Sequence, residues 1–350
     1  MIEQTEALAQ LLPEELAVLM QQMGQPAFRG KQVFSWLHEK QAASFDEMTD
    51  LPASLRRALA AQYDFSPPRP VQKQVSQDGT VKYLLALPDG NSVETVLMRY
   101  HYGDSLCISS QVGCRMCCRF CASTIGGRVR NLTAAEMAGE VYAVQRDIGR
   151  RVSHIVLMGI GEPLDNYDNL LRFLHLINHP GGQGLSMRNI SVSTCGLVRA
   201  IRRLAGERLG ITLSVSLHAP TDEVRSSMMP INDSYPIGEL IEACRFYQKE
   251  TGRRISYEYA MVRGVNDTRK AAGQLAALLR GMGAHINLIP VNPVDGSPYG
   301  PSDRQAILAF RQELQALGLN ATVRRRLGTD ISAACGQLRR QASQEAEHEG

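Results

Sequence analysis

The chain has 350 residues, 44% hydrophobic and 21% charged, which excludes a disordered or low-complexity polypeptide and leaves room for one large α/β domain plus a smaller one. No apolar run reaches about 18 residues, so no membrane-spanning helix is expected, and Met1–Gln10, with Glu3, Glu6 and no basic start, does not read as a secretory signal. The net charge of +3 names no polyanionic partner by itself; yet only 6 of the 38 cations are Lys, and Arg is either the better residue for bidentate phosphate contacts or the mark of a GC-rich genome.

Residues 1–66 read as a helical accessory domain. A segment over 5–24 is amphipathic and interrupted by Pro13. Residues 30–40 place Val33, Phe34, Trp36 and Leu37 at helical spacing, and 44–63 is similar, with Pro52 near a helix start. Residues 67–100 read as a linker and a β-hairpin. Pro67, Pro68 and Pro70 stiffen the linker, and strands over 81–87 and 92–100 flank the turn Pro88-Asp89-Gly90-Asn91.

The main domain, 101–338, has a different pattern. Strands are expected at 105–110, 153–159, 189–194, 211–217, 254–261 and 285–290. Helices are expected at 133–149, 167–178, 197–207, 236–251, 268–283 and 302–318, the first opened by a capping box of Thr133 and Glu136. Six successive βα units imply an α/β fold: a parallel sheet with helices outside, open or curled into a partial barrel. Its chemistry sits at the C-terminal ends of the strands. Residues 339–350 read as a flexible tail, since 341–350 hold three Glu and no Lys or Arg.

Eight cysteines in a chain of this size, without a secretory signal, point to metal or redox chemistry rather than staples. Four of them, Cys114, Cys117, Cys118 and Cys121, fall within eight residues just after the first strand of the main domain. Paired as Cys114/Cys117 and Cys118/Cys121 they would suit a four-thiolate zinc site, though four thiolates from so short a run are cramped. Spaced as C-x3-C-x2-C, Cys114, Cys118 and Cys121 wrap three corners of a 4Fe–4S cluster and leave its fourth iron open to a substrate ligand. We favour the cluster. A non-enzymatic, zinc-stabilised RNA-binding protein is the alternative of another class.

This spacing at the head of a βα array, with Phe120 before the last cysteine, resembles the radical S-adenosylmethionine (SAM) superfamily. There the open iron holds SAM, and one electron cleaves it to an adenosyl radical. Further stretches narrow the likeness: CISSQVGC at 107–114, RNLT at 130–133, MGIGEP at 158–163, SLHAP at 216–220, MPIN at 229–232 and ACGQL at 334–338. Over about residues 94–338 the chain resembles the RlmN and Cfr family of RNA adenine methyltransferases, and less specifically so in its helical N-terminal region. The resemblance implies a radical SAM partial (β/α)6 barrel with one 4Fe–4S cluster per chain, three Cys ligands, and SAM.

The resemblance also assigns roles. Cys335 carries the methyl group taken from one SAM, and the radical from a second SAM activates it for addition to adenine. Glu94 accepts a proton, and Cys107 releases the product by forming a disulfide with Cys335. Read alone, Glu94 is a solvent-facing strand residue, and a lone Cys is a buried small hydrophobe. SAM contacts fall to Gly161, Glu162, Ser193, Ser216, Leu217, His218 and Asn292, most of them at the same end of successive strands, where a parallel sheet binds ligands. Cys195 and Cys244 read as structural, and Cys117 as an inert neighbour or a spurious ligand.

RlmN-type members modify carbon 2 of an adenosine in 23S rRNA, and many also the adenosine 3′ of the tRNA anticodon. Cfr-type members modify carbon 8 and confer antibiotic resistance. Glu162-Pro163 and Ser193–Gly196 look closer to the RlmN branch. Arginine clusters at 150–151, 202–203, 253–254, 324–326 and 339–340 read singly as solvated surface. With an RNA substrate they are expected to track phosphates, and the helical domain 1–66 becomes a candidate RNA-binding surface. An external, flavodoxin-like electron donor, a cytoplasmic setting and no membrane contact complete the expectation.

Overall fold

A computed structural model of the chain describes residues 8–63, 65–291, 298–328 and 330–331. Cys335, Asn292, the Arg339–Arg340 pair and the tail at 339–350 therefore lie outside the described residues.

Three helices open the chain: α1 (Pro13–Gln22), α2 (Phe28–His38) and α3 (Ala53–Gln62). Pro13 does not interrupt a helix; it begins one, because the first helical N–H has no intrahelical partner to lose. Residues 44–63 divide into a short 3₁₀ turn, Phe45–Glu47, and α3, with Pro52 as its N-cap. Apolar faces of these helices join the same core as the main domain, through Leu16, Met20, Phe34 and Leu37. Polar contacts fix the docking: His38 Nδ1 lies 2.9 Å from the Tyr142 hydroxyl, Gln183 donates to the His38 carbonyl at 2.6 Å, and Arg172 pairs with Glu15 at 2.8 Å.

The segment expected as linker and hairpin holds three strands: β1 (Arg69–Val75), β2 (Val81–Ala86) and β3 (Ser92–Tyr100). The unexpected strand is β1. It pairs antiparallel with β2, with a register shift between Pro70 and Gln72, and it is the exposed edge of the sheet, where a proline's missing N–H is tolerated.

The remaining elements follow in order. They are β4 (Gly103–Cys107), β5 (Gln111–Gly113), β6 (Arg128–Asn131), α4 (Ala134–Ile148), β7 (His154–Leu157), α5 (Tyr167–Asn178), β8 (Ile190–Thr194), α6 (Val198–Gly206), β9 (Thr212–Ser216), α7 (Asp222–Met228), α8 (Ile231–Ser234), α9 (Ile237–Thr251), β10 (Ser256–Met261), α10 (Arg269–Leu278), β11 (His285–Pro290), α11 (Arg304–Ala316) and β12 (Asn320–Val323). The capping box of α4 forms as expected, with Thr133 N on Glu136 at 2.9 Å and Glu136 N on the Thr133 hydroxyl at 3.1 Å. α7, α8, the β5–β6 ribbon and β12 are additions to the sequence expectation.

Among the described residues the strands form one ten-stranded sheet, in the order β1-β2-β3-β4-β7-β8-β9-β10-β11-β12, and the two-stranded β5–β6 ribbon. From β4 to β12 every neighbouring pair is parallel, so β12 adds a seventh parallel strand to the six expected. The sheet curls. Leu327, beyond β12, packs against Val96 and Met98 of β3 and Cys107 of β4. A polar seam lies nearby: Gly328 N donates to Asp78 at 2.9 Å, Gln77 N donates to Asp330 at 3.0 Å, and the Ser76 hydroxyl donates to Asp330. The result is a partial barrel whose C-terminal strand ends face one cavity.

Candidate active site

The cavity has a volume of about 620 Å³ and takes its walls from β3, β4, β7 to β11 and Arg324–Gly328. The cysteine loop hangs over it. Gly113 ends β5 with φ +76, and a Cβ there would come within 2.0 Å of the Gly127 carbonyl, so only glycine lets the β5–β6 ribbon close. Cys114 N donates to that carbonyl at 3.1 Å, Cys121 N donates to the Cys118 carbonyl at 3.1 Å, and Arg119 N ties the loop to the Met228 carbonyl at 2.9 Å.

Cys114, Cys118 and Cys121 all reach the cavity wall. Burial pushes the Cys114 thiol up to about 12 and Cys118 well above the usual thiol range, and the neighbouring thiols push in the same direction, as expected for three sulfurs grouped together. Among the described residues no three His, Cys, Asp or Glu side chains converge closely enough to hold one metal ion. Three thiols on one cavity wall supply the donors that the corners of a 4Fe–4S cluster need. Cys117 is exposed, at φ +56, with its sulfur on the Arg115 carbonyl, and it does not line the cavity.

The GIGEP stretch follows β7 and wraps closely around the segment after β4. A Cβ at Gly159 would lie 2.6 Å from the Ile108 carbonyl; one at Gly161, where φ is +108, would lie 2.8 Å from Gln111 N. Ser110 N donates to the Ile160 carbonyl at 2.8 Å, and Glu162 N donates to the Gln111 side chain at 2.9 Å. The Glu162 carboxyl is buried and accepts from Leu164 N at 3.0 Å and Cys195 N at 2.7 Å, so it joins the ends of β7 and β8; burial raises its pKa.

Gly161, Glu162, Ser193, Ser216 and His218 share the cavity wall. The His218 backbone has φ +58, a rare conformation for a side chain of this size. Its Nδ1 accepts from Ala260 N at 3.0 Å, which leaves the proton on Nε2, and burial followed by the charge of Arg225 lowers its pKa to about 3. Leu217 is placed differently. Its side chain is in the apolar core, and its backbone N donates to the Glu258 carbonyl at 3.1 Å.

Cys107 ends β4, is buried, and faces the cavity beside Leu327. Glu94 does not face solvent, as it does when read alone. It is 3% exposed and pairs at 3.0 Å with the fully buried ammonium of Lys82. In β3 it shares a face with Val96 and Met98, both on the cavity wall.

Several wall residues escape the sequence reading. Cys195, expected as structural, lines the cavity, and its backbone holds Glu162. Glu258, an acid inside an otherwise apolar parallel strand, is buried on the wall and accepts from Asn287 at 2.7 Å; that mismatch with its strand was the available signal. Of the arginine clusters, Arg324–Arg326 lines the cavity mouth. Arg150 pairs instead with Asp104, and Arg203 with Asp168.

Known proteins share this arrangement. Residues 108–275 match the Radical SAM superfamily, and residues 7–64 match the ribosomal RNA large subunit methyltransferase N-terminal domain. The chain is 51% identical over 327 residues to the probable dual-specificity RNA methyltransferase RlmN of Lachnospira eligens, covering 93% of each protein. It is 52% identical to the protein of the same description from Lachnoclostridium phytofermentans, covering 93% of this chain and 92% of that one. The crystal structure of a radical SAM methyltransferase from Sphaerobacter thermophilus superimposes with a TM-score of 0.91 at 46% identity, covering 95% of this chain and 98% of that one. With its cysteine loop, its barrel and its N-terminal helices all matched, the chain belongs to the RlmN family of radical SAM RNA methyltransferases.

Proposed function

We propose that this enzyme methylates carbon 2 of an adenosine in 23S rRNA and of the adenosine 3′ of the anticodon in tRNA. The dual specificity in the names of its relatives supports both substrates. Cys114, Cys118 and Cys121 hold the cluster, and the wall formed by Gly161, Glu162, Ser193, Ser216 and His218 holds SAM. Asn292, outside the described residues, is a further SAM contact in this reading, and Leu217 contributes through its backbone. When bound, cluster and SAM together supply the methyl group and the radical that activates it.

The observation that carries the reading is the Cys107 thiol on the cavity wall, packed beside Leu327, eight residues before Cys335. Cys335 bears the methyl group and bonds to the adenine. Glu94, with the Lys82 ammonium balancing its charge, takes the proton that must leave the ring. One electron leaves the adduct with that proton, to an oxidised redox partner; the Cys107 thiolate then attacks the Cys335 sulfur, the sulfur–carbon bond breaks, and its electron pair takes up a proton to complete the product's methyl group, leaving a Cys107–Cys335 disulfide. An external reductant restores the thiols and an electron donor of the flavodoxin type supplies electrons, requirements that fit a cytoplasmic setting. Among the described residues no helix is long and apolar enough to cross a membrane.

Mass spectrometry of 23S rRNA and tRNA after anaerobic incubation with enzyme, SAM and reductant tests the reading. Methylation at carbon 2 is expected; methylation at carbon 8 overturns it. Cys335→Ala should yield no methylated RNA while keeping its iron, and Cys107→Ala should accumulate protein-linked RNA. Free product from Cys335→Ala would remove the covalent route.

A further inference from the structure

Arg225, on α7, is the largest fully buried side chain among the described residues, with none of its surface exposed. A buried guanidinium usually meets a carboxylate. Here its four hydrogen bonds go to neutral oxygens: the Cys195 carbonyl at 2.6 Å, Leu217 at 3.2 Å, Ser216 at 3.3 Å and the Asn232 amide at 3.0 Å. Asp222 acts on it only through its field, since Asp222 Oδ1 is engaged by Asn232 Nδ2 at 3.0 Å and Ile237 N at 2.7 Å. Gly196 makes the space, because a Cβ there would lie 3.1 Å from Arg225 Nη2. Among the described residues, therefore, the buried positive charge has no carboxylate hydrogen-bonded to it.

That charge sits behind the cysteine loop. Cys118 packs with Cys195, Met228 and Met229, and the Met228 carbonyl holds Arg119 N at 2.9 Å, so the end of α7 abuts the loop. Arg225 Nη2 donates to the Cys195 carbonyl at 2.6 Å, and Cys195 belongs to the same packed cluster as Cys118, so the guanidinium lies one residue behind this cysteine. A fixed cation in a medium of low dielectric acts on every nearby charge, including an electron added to a cluster at these thiols.

We propose that Arg225 is a positioning residue whose buried charge raises the reduction potential of the cluster held by Cys114, Cys118 and Cys121, while its hydrogen bonds fix the ends of β8 and β9. Cluster potential depends on local charge, and reduction adds one negative charge, which a neighbouring cation favours. The inference rests on those three cysteines being the ligands.

The test measures the reduced fraction of anaerobic, iron-replete protein against applied potential by electron paramagnetic resonance. Arg225→Gln and Arg225→Met remove the charge; Arg225→Lys keeps it. At the potential that half-reduces the parent enzyme, the reduced-to-oxidised ratio should fall roughly tenfold in the neutral variants, about 59 mV for one electron, and stay within about twofold in Arg225→Lys. Iron-replete neutral variants with the parent potential overturn the proposal, as does a lysine variant shifted as far as the glutamine variant. If the neutral variants fail to assemble, Asp222→Asn decides. Its amide oxygen still accepts from Asn232 and Ile237 while one offsetting negative charge is gone, so the potential must rise, and an unchanged or lower potential overturns the proposal. Failure of the ligand assignment shows separately, as parent enzyme in which Cys118→Ser leaves the iron content unchanged.

Discussion

Lys82 and Glu94 form an ion pair at 3.0 Å inside the antiparallel β2–β3 ladder, with both side chains out of water. Leu84 stands opposite Glu94, so Lys82 lies one pleat further along β2 on the same face. Removing one partner strands the other. Lys82→Met should destabilise the enzyme by about 3–5 kcal/mol, and Lys82→Met with Glu94→Leu should recover most of that loss. Urea denaturation measures both. A single variant as stable as the parent would show that Glu94 does not depend on Lys82.

Gly161→Ala should weaken SAM binding at least about tenfold, ~1.4 kcal/mol, because its methyl group would push against Gln111 N and move the Glu162 turn. Gly273→Ala is the control. It lies within α10 with nothing within 4 Å of the added carbon, and should stabilise by about 0.5–1 kcal/mol. Equilibrium SAM binding and thermal unfolding separate the two; unchanged affinity in Gly161→Ala would mean that the turn yields.

Cys117→Gly should keep its iron and brown colour, whereas Cys118→Ser should lose both. Replacing a side chain at φ +56 by glycine also relieves a backbone penalty of roughly 1 kcal/mol, so Cys117→Gly should melt higher. Iron analysis and a melting curve check both halves. Loss of iron from Cys117→Gly would make this thiol a ligand.

His38 gives an acid-stability prediction. Burial, and then the charge of His179, lowers its pKa from 6.5 to about 3. Between those values the unfolded chain binds a proton that the folded chain does not, so stability falls as the pH drops from 6.5 toward 3. One such group contributes up to about 1.4 kcal/mol per pH unit. His38→Phe should be less stable at pH 7, because the Tyr142 hydroxyl loses its partner, yet flatter across that acid range. Denaturation midpoints collected against pH measure the difference in slope; parallel curves would contradict it.

The cysteine spacing and the alternation of strand and helix were legible because both are local patterns, and the ends of β4 and β7 to β11 fall close to where hydrophobic periodicity puts them. Harder features depend on tertiary contacts. Pro70 makes 67–70 look like a linker, and only the sheet's edge position turns β1 into a strand. Glu94 looks like a surface acid until Lys82 is found on the same face of the hairpin. Arg225 reads as one more polar helix residue, because nothing near it in sequence announces that Cys195, Ser216 and Leu217 will surround it with carbonyls. β12 is four residues long, too short for a periodicity to be counted.

The seam between Asp78, Asp330 and their partners gives the wall beside Leu327 and Gly328 a particular mechanical character. A closed barrel widens only by tearing strand from strand. Here β1 and β12 remain separate edges, and the polar bonds fastening the hairpin turn to the last segment are all of a kind that water can replace. Across this line the ring is held by these polar bonds and by Leu327 on the Val96, Met98 and Cys107 cluster, with no strand pairing between β1 and β12 among the described residues. The wall is thus fastened along this line by exchangeable polar bonds, and elsewhere by the strand ladder.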